Sequence, residues 1–427
     1  MKTLIKSGRI IDPISKLDKV KDLLIEGNKI VAIEDKISIE ADEIINAEGY
    51  WVVPGLIDLH VHLREPGFTH KETIETGCKS AAMGGFTTIC CMPNTKPVID
   101  NKSIVEYIHA KTKEAGLVKV LPIGAVTKGQ VGRELADIEG MMEVGICGIS
   151  EDGKTIMDKD LMEKALKIGV ELDLIMFSHC EDHDLVENGV MNAGKRADEL
   201  GLKGISDESE EVIVDRDIKL AIKVNAKLHL CHLSTKGSVE ILRKAKKRSD
   251  NITAEVCPHH FTLTDDTVTL EDTNTKMNPP LRTHKDIEEI KKGLKDGTID
   301  VIATDHAPHH VDEKNMGYEK APFGIVGLET AVALTITELV DRDILTPMEM
   351  VEKLSANPAK ILGIEAGELG IGKPADITII DPNEEYKINV NDFVSKGKNS
   401  PFHGKKVRGR VKYTIVEGKI ILDNEKL

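Results

Sequence analysis

Apolar positions along the chain follow two different rhythms. From residue 3 to about residue 53 they fall in short β-prone runs, 3–11, 21–26 and 29–33, with no 3.6-residue period. The stretch Asp22-Leu23-Leu24-Ile25-Glu26-Gly27-Asn28-Lys29-Ile30 sets turn residues between two such runs, which predicts a hairpin. The same texture returns after Gly370, with runs at 375–380, 413–416 and 419–422 and a Glu417-Gly418 turn. A lone two-stranded hairpin is barely stable in water. The two ends are therefore expected to meet in one small composite β-sandwich domain, residues 1–53 and 368–427.

Between the ends, short apolar runs alternate with amphipathic segments, the signature of a parallel sheet with helices outside it. Strands are predicted at 51–60, 87–92, 118–123, 145–150, 171–178, 227–233, 252–256 and 299–304. Helices are predicted at 101–115, 158–168, 209–225, 238–248 and 285–296. Eight such units predict a (β/α)8 TIM barrel over residues 54–367, with a doubly wound open sheet as the alternative.

Polar residues favour the barrel, because they cluster where the apolar runs end. His60-Val61-His62-Leu63-Arg64 closes the first, Pro93-Asn94 the second and Ser150-Glu151-Asp152-Gly153 the fourth. Ser178-His179, Cys231-His232-Leu233-Ser234 and Thr304-Asp305-His306-Ala307-Pro308-His309 close the fifth, sixth and eighth. In a barrel all these ends converge on one mouth. A His-x-His taken alone is more often two half-buried strand histidines than a metal pair, although on a strand His60, His62 and Arg64 share a face. Together His60, His62, Asp152, His179, His232 and Asp305 offer four imidazoles and two carboxylates. That set exceeds one tetrahedral zinc and suits two ions sharing a bridging carboxylate. His259-His260 is read as supporting rather than ligating.

Composition narrows the setting. A net charge of −15 argues against a nucleic-acid or membrane-surface partner, since both are polyanionic. The basic run from Ile241 to Arg248 lacks interleaved aromatics and reads as a solvated helix face. No apolar run is long enough for a transmembrane helix and no secretory signal is apparent, so a cytoplasmic protein is expected. Seven cysteines, none in a Cys-x-x-Cys pair, fit reduced buried thiols.

Two long motifs then resemble a known family. They are Asp58-Leu59-His60-Val61-His62-Leu63-Arg64-Glu65-Pro66-Gly67 and Ala303-Thr304-Asp305-His306-Ala307-Pro308-His309 followed by Lys314. Cys91-Met92-Pro93-Asn94-Thr95, Met277-Asn278-Pro279-Pro280-Leu281-Arg282, Ala321 to Thr330 and Gly372-Lys373-Pro374-Ala375-Asp376 support them. The chain resembles the cyclic amidohydrolase superfamily, and within it the dihydroorotases that place an aspartate between their metals. The resemblance covers essentially the whole chain and implies a barrel with a small β domain. It further implies two zinc ions per subunit, one held by His60 and His62 and the other by His179 and His232. Asp152 would lie between them, with its neighbour Glu151 or a modified Lys154 as the alternative bridges, and Asp305 would bind metal and move the proton. It assigns Arg64, Asn94 and His309 to a substrate carboxylate, and Asn278 with the backbone near Phe323-Gly324 to ring amides. His62 also borders the substrate. The implied reaction is reversible hydrolysis of dihydroorotate to N-carbamoyl-L-aspartate in pyrimidine synthesis. Alternatives are a hydantoinase- or allantoinase-type cyclic amidase, or a catalytically silent partner of aspartate carbamoyltransferase. Partners beyond the small-molecule substrate would be further copies of the chain or that transferase.

Overall fold

The computed structural model describes residues 1–425. Strands β1 (Lys2–Asp12), β2 (Leu17–Glu26), β3 (Lys29–Glu34), β4 (Glu43–Asn46) and β5 (Trp51–Pro54) open the chain. They share one sheet with β16 (Ile377–Lys387), β17 (Lys406–Val416) and β18 (Lys419–Asp423). The order is β18-β17-β16-β5-β1-β2-β3, with β4 beside β1. Mostly antiparallel, this sheet buries Ile5, Ile10, Leu23, Ile25, Val52, Ile377, Ile379 and Ile415 in a core of its own. The two ends of the chain thus meet, pinned where Ile377 to Ile380 run antiparallel to Pro54 to Trp51.

The second large sheet is parallel and takes its strands in chain order. These are β6 (Leu56–Val61), β7 (Phe86–Cys91), β8 (Lys119–Ala125), β9 (Gly148–Ser150), β10 (Ile175–Ser178), β13 (Leu228–Leu230), β14 (Ile252–Val256) and β15 (Val301–Ile302). A two-stranded pair not foreseen in the sequence, β11 (Met191–Asn192) and β12 (Gly204–Ile205), stands apart. The barrel closes from last strand to first through a parallel bridge between Val61 and His306, with His62 N donating to His306 O at 2.9 Å. Asp58, buried between these strands, accepts from Thr304 N at 3.1 Å.

Alternation along the strands fills two cores, as expected where both faces of a sheet are covered. Ile89, Met176, Leu228 and Ile302 pack with helix residues such as Ala81, Val105 and Leu166. Cys90, Phe177, Cys231 and Val301 pack in the barrel interior. The five predicted helices form at Lys102–Ala115, Lys159–Glu171, Glu208–Val224, Lys236–Ala245 and His284–Lys295. Local chemistry sets their limits. Asp158 caps Lys159–Glu171 by accepting from Asp160 N (2.8 Å) and Leu161 N (3.1 Å), and the helix buries Leu161, Met162, Ala165 and Leu166 on one face.

The strands predicted at 145–150, 227–233 and 299–304 shorten to β9, β13 and β15, and three further boundaries differ for visible reasons. The predicted strand 51–60 is two strands, β5 in the terminal sheet and β6 in the barrel, meeting at Gly55. A Cβ there would lie 2.2 Å from Thr87 Oγ1, so only glycine fits at the crossover. The strand predicted at 171–178 begins at Ile175, because the preceding helix continues to Glu171. The return strand predicted at 375–380 extends to Lys387, opposite the long β17. The basic helix face is also less solvated than expected, since Arg243 reaches Glu289 (2.6 Å) and Lys246 reaches Asp300 (2.5 Å). No helix among the described residues is long and apolar enough to cross a membrane. All seven cysteines are free thiols.

Candidate active site

The C-terminal ends of the barrel strands bring six distant side chains into one buried cluster. His60 stands near the end of β6 and His62 just beyond it. Asp152 follows β9, His179 follows β10, His232 follows β13 and Asp305 follows β15. Around Asp152, His60 Nε2 lies at 3.3 Å, His62 Nε2 at 3.5 Å, His179 Nδ1 at 3.6 Å and His232 Nε2 at 3.8 Å. Asp305 Oδ1 lies 3.0 Å from His62 Nε2 and 3.5 Å from His60 Nε2. Three non-glycine residues of the site hold left-handed backbone, Arg64 at φ 60°, His232 at φ 34° and Asp305 at φ 46°. Such backbone costs about 1–3 kcal/mol per residue and survives only where the surroundings impose it.

In His60 and His62 the ring nitrogen that faces away from the cluster is held from behind. His60 Nδ1 meets Glu255 Oε1 at 2.6 Å, and the other oxygen of Glu255 meets His229 Nε2 at 3.1 Å. His62 Nδ1 meets Asn94 Oδ1 at 2.8 Å, and Asn94 Nδ2 donates to Asp152 at 3.2 Å. His179 Nε2 faces Glu181 Oε2 at 3.6 Å, an electrostatic approach beyond hydrogen-bond distance. Backing of this kind fixes a metal-binding imidazole in its tautomer and orientation. Glu255 was missed in the sequence, although a lone carboxylate inside the apolar run Ala254-Glu255-Val256 was a usable signal.

Charge in the cluster is unbalanced toward the anion. Burial works against a proton on His60, yet Asp152, Asp305 and Glu255 together hold its pKa well above the usual histidine value. His179 is pushed up to about 10, its burial outweighed by Asp152 and Glu181. Asp152 and Asp305 stay well below the usual carboxylate range, the first beside His60, His179 and His232, the second beside His60 and His62, in both cases against their own burial. His60 Nε2, Asp152 Oδ1, His179 Nε2 and His232 Nδ1 are buried without a hydrogen-bond partner. Orphaned buried polar atoms of this density are rare in proteins. Imidazole nitrogens and carboxylates converging on a site that calls for positive charge are the donors that divalent cations take. The triads His60-His62-Asp152, Asp152-His179-His232 and His60-His232-Asp305 each hold their ligand atoms within 4.8 Å of one another. The residues fit a metal centre.

A cavity of about 290 Å³ opens onto the cluster, walled by Arg64, Asn94, Met277, Asn278, His309, Phe323 and Gly324. Every residue expected at the site except His60, which is fully buried, borders it. Arg64 anchors through Nε to Pro308 O at 3.1 Å and sets its guanidinium 3.2 Å from His309 Nε2. Burial lowers Arg64 to about 10, against the pull of Asp305 and Asp152, so it stays charged at neutral pH. His309 Nδ1 faces Lys71 Nζ at 3.2 Å and its Nε2 faces Phe323 O at 2.8 Å. Burial and the cations Arg64, Lys71 and Lys314 hold His309 well below the usual histidine range. It is therefore neutral, and the Nε2 proton goes to Phe323 O. Lys71 was not foreseen.

Other expectations meet different surroundings. The Glu151 carboxylate is taken by Thr127, through its N at 3.1 Å and its hydroxyl, and Lys154 Nζ by Gln130 O at 2.8 Å. Of the three candidate bridging groups, only Asp152 reaches the cluster. Gly324 N donates to Lys276 O (3.0 Å) and its carbonyl accepts from Lys314 (3.3 Å) and Asn399 (3.0 Å). The backbone expected to meet ring amides is thus largely engaged, while Asn278 Oδ1 is buried and free. His260 Nε2 meets Pro279 O at 2.9 Å, in a supporting place beside the cavity wall.

The sequence model of the Dihydro-orotase-like family matches residues 49–238. A protein named dihydroorotase from Acetivibrio thermocellus is 51% identical, with 98% of each chain covered. One of the same name from Caldanaerobacter subterraneus subsp. tengcongensis is 51% identical, over 98% of this chain and 97% of that one. Among solved structures, an L-hydantoinase (dihydropyrimidinase) from Arthrobacter aurescens superposes with a TM-score of 0.88 at 25% identity, covering 99% of this chain and 96% of its own. A D-hydantoinase (dihydropyrimidinase) from Thermus sp. gives 0.85 at 26%, covering 99% and 95%. The barrel is therefore that of the cyclic amidohydrolases, and with about half its residues shared over nearly the full length of its relatives the chain belongs to the dihydroorotase family.

Proposed function

We propose that this chain interconverts dihydroorotate and N-carbamoyl-L-aspartate, using two zinc ions held by His60, His62, Asp152, His179, His232 and Asp305. One observation carries the reading: six ligand-type side chains gather in one buried cluster, four of them with orphaned polar atoms, and five of the six border a single cavity that Arg64 also lines. Bound metal would supply Lewis-acid chemistry, acidifying water and polarising the scissile carbonyl.

The chain's own groups do the rest. Dihydroorotate is a six-membered cyclic amide-imide with one carboxylate. Arg64 can hold that carboxylate by charge-assisted hydrogen bonds. Neutral His309 leaves the field of Arg64 undiminished. Asp305, ionised at neutral pH, can take a proton from the attacking water and return it to the leaving ring nitrogen as the C–N bond breaks. The same groups run backward close the ring. Asn94 appears in this reading chiefly as the brace of His62 and Asp152, with its exposed edge toward the carboxylate.

The hydantoinase likeness of the solved structures makes a neutral hydantoin the competing substrate. A ligand without a carboxylate would leave Arg64 unpaired beside it. Purified protein assayed against dihydroorotate, a 5-substituted hydantoin and allantoin, with metal content measured on the same preparation, tests the reading. Turnover of dihydroorotate with bound zinc is expected. Turnover of only the other two would overturn it. Arg64→Met should raise KM for dihydroorotate by about tenfold or more while bound metal stays constant.

A further inference from the structure

The crossover that joins β16 to β17, residues 388–405, leaves the terminal sheet and lies against the catalytic mouth of the barrel. Two barrel carboxylates hold its backbone. Glu329 accepts from Val394 N and Ser395 N, each at 3.1 Å, and buried Glu72 accepts from Lys396 N at 3.2 Å and from the Ser395 hydroxyl. Further along, buried Asn399 directs its whole amide at two loops of the cavity wall. Its Nδ2 donates to Ala307 O at 2.9 Å and Gly324 O at 3.0 Å, and its Oδ1 accepts from His309 N at 3.0 Å. We propose that Asn399 is a positioning residue: by tying Ala307–His309 to Gly324 it fixes the Pro308 carbonyl that anchors Arg64, so that the terminal β domain sets the anion-binding corner of the site. That the anion is a substrate carboxylate rests on the function proposed above, and the tie itself does not.

The chemistry of the tie calls for an amide. Two carbonyls and one N–H converge on residue 399, and a primary amide offers two donors and an acceptor. Aspartate would set a carboxylate against both carbonyls, and serine has a single donor. The held triplet is centred on Pro308, whose carbonyl accepts from Arg64 Nε at 3.1 Å. Asn399 grips the residues on either side of that carbonyl, so any shift of the triplet carries the Arg64 anchor and His309 with it. Close approach is possible because the strap is glycine there: a Cβ on Gly397 would stand 2.7 Å from Pro308 Cβ.

A guanidinium holds an anion through a rigid planar fork, so its grip depends on direction as well as charge. Loosening its anchor should therefore weaken binding of the anion without touching the metal ligands. The same crossover places Phe402 in one apolar cluster with Met277 of the cavity wall, which gives the strap a second hold on the mouth.

The test compares wild type, Asn399→Ala, Gly397→Ala, Arg64→Met and the Asn399→Ala/Arg64→Met double variant, each with kcat, KM and metal content from one preparation. A crystal structure of the single strap variant accompanies them. KM for dihydroorotate should rise by about tenfold in Asn399→Ala, with kcat changed much less and metal retained. The double variant should be little worse than Arg64→Met alone, because the amide acts through the guanidinium. Gly397→Ala presses on Pro308 from the same segment. It should raise KM in the same way, and it carries both the kinetics and the crystal structure if Asn399→Ala does not fold. Unchanged KM, or effects that multiply in the double variant, would overturn the proposal. So would a loss of metal that accounts for the whole effect, since the strap would then only support the fold of the mouth. If wild type hydrolyses a hydantoin and not dihydroorotate, the substrate reading fails, and the crystal structure decides the positioning by itself. Arg64 should have left the Pro308 carbonyl, and an Arg64 found in its original place would overturn the role of the strap.

Discussion

The two ends of the barrel are made by the same strands and both are hollow, yet only one is built for chemistry. At the floor, a cavity of about 430 Å³ is lined by Ile175, Lys227, Asn251, Thr253, Asp300 and Asn357, which is larger than the 290 Å³ cavity at the mouth. Its polar groups are satisfied from within. Asp300 takes Lys246 at 2.5 Å and Ala254 N at 3.0 Å, and Asn357 Nδ2 donates to the Asp300 carbonyl at 2.9 Å. None of its lining side chains holds an orphaned buried polar atom among the described residues. At the mouth the reverse holds, with partnerless atoms on His60, Asp152, His179, His232 and Asn278 and left-handed backbone at three residues. Volume alone would point to the wrong end. Unsatisfied, convergent polar atoms mark the right one, because folding leaves them so only where something else completes them.

Substitutions at the two ends should separate these roles. The largest effect is expected from Asp305→Asn, which removes the proton carrier. Turnover should fall by about 10²–10⁴-fold in both directions of the reaction, measured at saturating substrate. Near-normal turnover would take Asp305 out of proton transfer. Next, Glu255→Gln should weaken metal affinity by about 10–100-fold by equilibrium dialysis, with activity recovering as metal is added. An unaltered affinity would reduce Glu255 to a buried plug.

A smaller effect belongs to Lys314, whose ammonium lies 3.0 Å from Pro322 O and 3.3 Å from Gly324 O behind the cavity wall. Burial lowers its pKa from 10.5 to about 7. Between those values the unfolded chain holds one more proton than the folded one, so stability rises with pH across that window. The melting temperature of wild type relative to Lys314→Met should therefore shift in favour of wild type from about pH 7 to about pH 10. A constant difference would mean an ordinary lysine. The smallest effect on activity is expected at the floor. Asp300→Asn should lower the melting temperature by a few degrees and leave kcat/KM within about twofold. A large loss of activity there would break the contrast between the two ends.

Much of this was legible in the chain. The alternation of apolar runs and amphipathic segments carried the barrel, since a parallel sheet covered on both faces needs that rhythm. The similar texture at both ends carried their meeting in one sheet. His60, His62, Asp152, His179, His232 and Asp305 were legible because barrel geometry makes strand ends neighbours. The split at Gly55 was hidden, because one unbroken apolar run served two sheets. Glu255 and Glu181 were hidden for another reason: their partners, His60 at a separation of 195 residues and Asn278 at 97, are met only through the fold.

The sequence by itself determined which elements form and which side chains arrive at the mouth, because periodicity and strand-end position are local properties. Only the tertiary structure decided which of those groups remain unpaired. Glu151 and Lys154 are consumed by Thr127 and Gln130, Gly324 by Lys276, Lys314 and Asn399, while Asp152 and the Asn278 oxygen are left free. Hydrogen bonds are settled by distance and direction in space, which no spacing along the chain encodes.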